Sequence, residues 1–432
     1  MAGVSRPVHA NPDHLVPSAG VEGAPMSLHM RLDYAYELSS SVILRENVGD
    51  PSAGPLAGIP RSKQLAFHQY RHLLTPRAEV GIFRDTWLSV ALPIVVAQAR
   101  ELELEGAGRD EATGGLLPAQ GFDARDPSTP PPGDLVFRGI SRKGLDQIHV
   151  GLNLAPMNQR RDDTKPTWKI GAEMRFAVGK VMRFDSLDPH SETGVSRGVH
   201  ELRLWTSIDR QFRWTEGWFE LFWQTPIAAR SKSLYQDPGF GTTNYKASQQ
   251  GGAAFGVETY VMNDKLTGNR ISLDLGGRIV GHFEGRQYSE MWEVFAYAGD
   301  SRGTGPLILD RDPVEPGVQA MSHPGISNVE NYLETAGRVA VRASLGEHVR
   351  FAAVVDIAWK TDHVISFADA GIDLPTCGGT TSACEDSTND VVNPGTREVN
   401  PGHAPAIDLV GHRYHSVDNL GVMIGLEAQA LF

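Results

Sequence analysis

Apolar and polar residues alternate with a period of two along most of the chain. From Met26 to Ser39, one parity holds Met26, Leu28, Met30, Leu32, Tyr34, Tyr36 and Leu38. The other holds Ser27, His29, Arg31, Asp33, Ala35, Glu37 and Ser39. A helix would scatter both sets around its circumference, whereas an extended strand puts one on each face. Strands of soluble sandwiches run about five or six residues, and this run is more than twice as long. The same period recurs at 72–82, 90–96, 148–154, 168–176, 202–208, 219–227, 255–261, 271–279, 333–345, 351–359 and 420–432. The pattern predicts an all-β, up-and-down antiparallel barrel of about twelve strands.

The connections sort by length. Strands two and three meet through FRDT (Phe83 to Thr86), and ten and eleven through Gly346 to His348. The links after strands four, six and eight are also short. The others, 45–62, 105–145, 185–196, 231–250, 284–328 and 361–417, are long and rich in Gly, Pro, Asp and Ser. Short turns at one end and long loops at the other are the signature of a transmembrane barrel. No apolar run reaches the roughly 18 to 20 residues that a membrane helix needs, and the densest, Trp87 to Ala99, is broken by Pro93. No fixed repeat period points to a solenoid or propeller.

The end of the chain carries a resemblance. Leu420, Val422, Ile424, Leu426, Ala428 and Ala430 lead to a terminal Phe432. This resembles the last strand of Gram-negative outer-membrane β-barrel proteins, a porin-like class of architecture, over residues 26–432. It implies short periplasmic turns, long extracellular loops, location in the outer membrane, and Phe432 as the signal read by the barrel-assembly machinery. Outer-membrane lipid is then the second partner. Residues 1–25, rich in Pro, Gly, Ala and His, read as a disordered lead-in. They show no charged segment followed by an apolar one, which fits a leader already removed or a start placed elsewhere.

If the apolar parity faces lipid, the intervening charges face the lumen. They are Arg31, Asp33 and Glu37; Arg71, Arg77 and Glu79; Lys169, Glu173 and Arg175; Glu201 and Arg203; Asp274 and Arg278; Glu334, Arg338 and Arg342; Asp356 and Lys360. Glu220, Glu258, Arg350 and Glu427 extend the series. The signs nearly balance, so neither strong cation nor strong anion selectivity is expected. A structural salt-bridge network and a solute path fit this equally. Long side chains in a narrow barrel predict a mostly occluded or small-bore lumen, widest beside Ser89, Ala91, Ala97 and Ala99. Trp87, Trp168, Trp214, Trp218 and Tyr332 fall near strand ends, where interfacial girdles sit.

Composition narrows the functions. A net charge of −12 argues against a nucleic-acid partner. The two cysteines, Cys377 and Cys384, have the wrong spacing for a CxxC site and fit a small disulfide loop in an oxidising compartment. No nucleophile elbow, HExxH, Walker A or dinucleotide fingerprint is present. His403, His412 and His415, and the acidic run Asp310, Asp312 and Glu315, read as solvated loops, so no metal or cofactor is expected. A lipolytic Ser-His pair would need both residues on the lipid face. His72 qualifies, but no serine stands out beside it. The expectation is a non-enzymatic, narrow porin-like channel for small solutes or one specific substrate. The alternative is a structural or adaptor barrel of an envelope machine (secretion, polysaccharide export or gliding motility), with envelope-complex proteins as partners. The stretch GRQYSEMWEVFAYAG (residues 285–299) predicts a short amphipathic helix, set either in the lumen as a constriction or on the outer surface.

Overall fold

The computed structural model describes residues 16–21, 24–47, 59–105, 121–231, 233–236, 247–264, 266–299, 309–310, 320–321, 323–368 and 404–432. The alternation becomes twelve staves. They are β1 (Leu28–Glu46), β2 (Arg61–Phe83), β3 (Thr86–Ala91 continued by Ile94–Leu104), β4 (Gln147–Met157), β5 (Thr167–Ala177) and β6 (Val199–Gln211). Then come β7 (Thr215–Ala229), β8 (Gln250–Asn263), β9 (Arg270–His282), β10 (Tyr332–Leu345), β11 (Val349–Lys360) and β12 (Tyr414–Leu431). Each pairs antiparallel with its neighbours in the chain. β12 returns to β1, from Leu431↔His29 up to Tyr414↔Arg45, and closes the wall. Closure leaves no unpaired edge, a requirement where no water can satisfy the backbone.

The parity of each stave sorts its side chains. Met30, Leu32, Leu152, Leu275, Val341, Ile424 and Leu426 point outward and are exposed. Leu152 is 54 % exposed and Leu426 57 %, and comparable residues stand on every stave. A soluble monomer rarely shows apolar patches beyond a few hundred Å²; here the apolar belt encircles the wall, as lipid contact requires. The alternate positions turn inward and carry the charges. Phe432 follows β12 and is 69 % exposed, and its N–H and C=O pair with the C=O and N–H of Leu28 at 2.9 Å each. Gly346, in the β10–β11 turn, has φ +63° and supplies the left-handed conformation this tight link needs.

The structure corrects the sequence reading in three places. First, β3 breaks at Leu92–Pro93, and Val96 is an extra residue opposite β2, between the pairs Val95↔Leu73 and Ala97↔His72. The bulge reverses the parity of the upper half of β3. Ala97 and Ala99 therefore pair with outward His72 and Tyr70, while Gln98 and Arg100 turn into the lumen. Ser89 and Ala91, below the break, keep the inward direction. Second, Trp168 and Trp214 stand exposed in the belt, but Trp87, Trp218 and Tyr332 are buried on the inner side. Trp218 lies against Gly256 and Gly276 of the adjoining staves, where an added Cβ would come within 2.7 and 3.0 Å of the ring, and its indole N–H donates to Asp274 at 2.9 Å.

Third, part of the lead-in is built onto the barrel. Ala19–Val21 pairs with Ala24–Met26, and Val16 packs on Trp87 and Ala155. Ala19 and Arg84 exchange backbone hydrogen bonds at the β2–β3 turn. The Ser18 hydroxyl, the Asn158 amide and the Arg161 guanidinium all donate to Asp85 Oδ1. These contacts staple residues 16–21 and 24–27 across the periplasmic rim. Cys377, Cys384, His403, Asp312 and Glu315 lie outside the described residues.

The outer end is filled by the long loops. Strands Leu135–Arg138 and Arg142–Leu145 pair with the upper half of β3, and Gly285–Gln287 pairs with Ser327–Val329. Helices α1 (Trp292–Gly299) and α2 (Pro405–Asp408) complete it. Asp408, in α2, accepts the Ala404 N–H at 2.8 Å, and burial pushes its carboxyl up to about 7. An acid raised above its ordinary value near 4 adds stability that is present below that value and lost as pH rises through about 7. Amide-exchange protection over residues 404–408 is therefore expected to fall between about pH 4 and 7, and Asp408→Asn to hold it constant.

Candidate functional site

The inner surface has two zones, an apolar plug in the outer mouth and a charged lumen beneath it. The plug is built around α1. Its Phe295 side joins Met291, Val294 and Ala298 to inward-facing Ile43 of β1, Leu65 and Phe67 of β2, Leu102 of β3, Tyr332 of β10 and Tyr414 of β12. Its Trp292 side joins Tyr288 and Ile326 to Met182, Val199 of β6, Leu234 and Tyr235. One short helix thus contacts inward residues from both sides of the mouth. Every residue of it but the half-buried Tyr297 is buried, because both of its faces meet protein. Of the two placements the sequence allowed, the structure takes the one in the lumen.

Polar contacts fix the plug in register. Glu293 is buried and accepts from Arg142 Nη2 at 2.9 Å, while Arg142 also donates to the carbonyls of Glu192, Gly194 and Arg183. The guanidiniums of Arg142 and Arg100 lie 4.8 and 5.6 Å from the Trp292 ring centre. Arg100 further donates to the Ser289 carbonyl. Gly325, at φ +93°, lets the returning chain pass α1, since a Cβ there would sit 2.4 Å from the Trp292 carbonyl oxygen.

Below the plug, every charge expected in the lumen is on the inner side and engaged. Arg31 meets Asp33 at 2.8 Å, and Arg71 meets Glu37 at 4.0 Å. Arg77 reaches Glu79 at 3.3 Å and Glu173 at 3.0 Å, and Glu173 also holds Arg175 at 2.9 Å. Lys169 pairs with Asp209 at 2.9 Å, Glu201 with Arg197, and Arg203 with Glu220 at 2.6 Å. On the opposite wall Arg278 binds Glu334 at 2.6 Å and stands 3.7 Å from Asp356, with Lys360 3.8 Å from Glu334. Arg342 bridges Glu258 and Asp274 at 3.0 Å each, and Arg338 lies 3.7 Å from Glu427. Burial makes each charge costly alone, so the network is held by mutual pairing.

Sequence reasoning missed Arg100, Arg142, Trp292 and Glu293. The bulge at Val96 hid the inward turn of Arg100. The other three sit in or beside loops, where no period marks a face. His72 stays on the lipid side, stacked on Tyr36 at 4.7 Å and bonded to the Tyr34 hydroxyl at 2.8 Å. His415 is buried against Glu46 rather than exposed. Among the described residues, no group of three His, Cys, Asp or Glu is placed to hold a metal ion.

No family model and no curated protein matches the chain. Among solved structures, the loop-deleted OmpT of Vibrio cholerae, an outer membrane protein, shares 7% identity over 93% of this chain and 99% of its own, with a TM-score of 0.29. The outer membrane protease OmpT of Escherichia coli shares 6% over 94% and 97%, with a TM-score of 0.26. A Pseudomonas aeruginosa FadL homologue shares 7% over 94% and 90%, with a TM-score of 0.30. Likeness this slight says nothing of activity or substrate. The closed wall, its lipid belt and the sorted loops define the architecture directly: the chain is an outer-membrane β-barrel protein of twelve strands.

Proposed function

We propose that the barrel is a gated outer-membrane channel for small polar solutes, closed in its resting state by the α1 plug. The observation that carries this reading is the contrast between the two zones. The outer mouth holds an apolar core in which α1 packs against residues of several other loops, while charged groups line the space beneath it. A purely structural barrel needs no separate stopper, and an unregulated porin has none across its mouth. The second reading, a structural or adaptor barrel, draws on the lumen itself, where paired charges fill a narrow bore.

His282 and Tyr332 are register partners at the top of β9 and β10, so a tight turn can replace residues 284–330 without disturbing the wall. In planar bilayers the wild-type protein is expected to stay closed, with rare brief steps. The turn variant is expected to give sustained, ohmic, small-conductance steps. A variant that shows the heat-modifiable gel shift of a folded barrel and remains silent would sink the channel reading. The ion-paired lumen would then be the seal, and the adaptor reading would stand.

A further inference from the structure

The short periplasmic turns carry arginines set on aromatic rings. In the β2–β3 turn the Arg84 guanidinium lies 5.4 Å from the centre of the Phe83 ring. In the β6–β7 turn Arg210 lies 5.6 Å from Phe212, and Arg213 lies 5.9 Å from Trp214. All three rings are exposed and continue the lipid belt at its periplasmic edge. Aromatic residues in such positions sit at headgroup level, so the rings hold the guanidiniums at the depth of lipid phosphates. A cation over a ring face is supported without being neutralised.

The neighbouring acids are already engaged. Asp85 is taken by Arg161 at 2.7 Å, and Asp162 in the β4–β5 turn by Lys165 at 3.0 Å. Asp209 is buried and paired with Lys169, and buried Glu216 accepts from the Tyr260 hydroxyl. Among the described residues, none of Arg84, Arg210 and Arg213 is in an ion pair. Arg160, also exposed, adds a fourth cation, against one exposed acid, Asp163. Staves β2 to β7 are consecutive in the wall, so the three turns stand side by side along one arc of the rim. Arg84 has φ +44°, a left-handed conformation that glycine or asparagine adopts at less cost. The turn keeps an arginine where its own geometry prefers another residue, which points to a role outside the turn.

We infer that Arg84, Arg210 and Arg213, on their aromatic rings, form a binding surface for anionic phospholipid headgroups of the periplasmic leaflet. Position decides the source of the phosphate. The rings stand in the lipid belt, outside the lumen, so the anion that reaches them belongs to a membrane lipid. The chain as a whole carries a net charge of −12 and repels anionic lipid, so any preference for it has to come from this local cluster. The surface does not depend on the channel reading.

The test is native mass spectrometry of the full-length protein in detergent, offered equal amounts of phosphatidylglycerol and phosphatidylcholine. The wild type is expected to retain phosphatidylglycerol in preference. Arg210→Gln and Arg213→Gln are each expected to lower that preference about fivefold, the contribution of one arginine near an anionic surface. Arg84→Asn is expected to lower it by a similar factor without lowering the temperature of the heat-modifiable gel shift, because asparagine suits the left-handed turn. An arginine with a merely structural role would give the reverse. Lys143→Gln removes the same charge at the outer end and is expected to change nothing. Equal retention of both lipids by the wild type, or an equal loss of preference in Lys143→Gln, overturns the surface. So does a preference that survives all three arginine substitutions in a barrel that keeps its gel shift.

Discussion

On the channel reading, Trp292→Ala is expected to hold the outer mouth open. Trp292 is fully buried, packs edge-on against Tyr288 at 5.0 Å, and carries Arg142 and Arg100 over its ring. Removing a buried Trp side chain costs about 3–5 kcal/mol, and here nearly all of that falls on the docked plug, because the staves do not depend on α1 for their pairing. A closed-to-open ratio would shift by roughly a hundredfold or more. The expected record is a channel that is open most of the time, with protease cleavage within residues 288–299 that is much faster than in the wild type. A folded Trp292→Ala barrel with unchanged silence and unchanged protection would show that α1 does not gate the mouth.

Arg278→Met acts on the wall instead. Arg278 is buried between Glu334 at 2.6 Å and Asp356 at 3.7 Å, and methionine fills much of its volume without its charge. Lys360 at 3.8 Å still faces Glu334, so the loss falls mainly on Asp356, which is 1 % exposed. Breaking a buried pair on one side costs about 3–5 kcal/mol, to be read as a lower urea midpoint in micelles. Adding Asp356→Asn removes the charge that Arg278 leaves behind while Glu334 keeps Lys360, and the double variant is expected to recover most of the loss. Should the single variant melt like wild type, water reaches these carboxylates and the lumen is wetter than its packing implies.

How legible these features were in the sequence depends on what enforced them. All twelve staves were visible, because lipid outside and a polar lumen inside impose alternation on every spanning strand. The pairing of inward residues was not, since which of them face one another depends on strand stagger, and Arg350 opposite Ser344 and Gln429 carries no local mark. Trp87, Trp218 and Tyr332 look like girdle residues by their distance from strand ends, yet glycines such as Gly256 and Gly276 give Trp218 room inside. The plug was half visible. A helix was expected in residues 285–299, but its docking depends on Leu65, Phe67 and Tyr414, far away in sequence.

The seam between β12 and β1 has a consequence for time rather than for structure. It joins the two ends of the chain, so its loop-closure entropy is the largest of any pair of staves, and it should close late in assembly. Once Leu28 and Phe432 have exchanged their hydrogen bonds, opening the seam would bare two strand edges to lipid, where no water can satisfy them. The folded barrel is thus protected by the height of a barrier more than by the depth of its well. Its persistence in the membrane is set by how rarely that one seam parts.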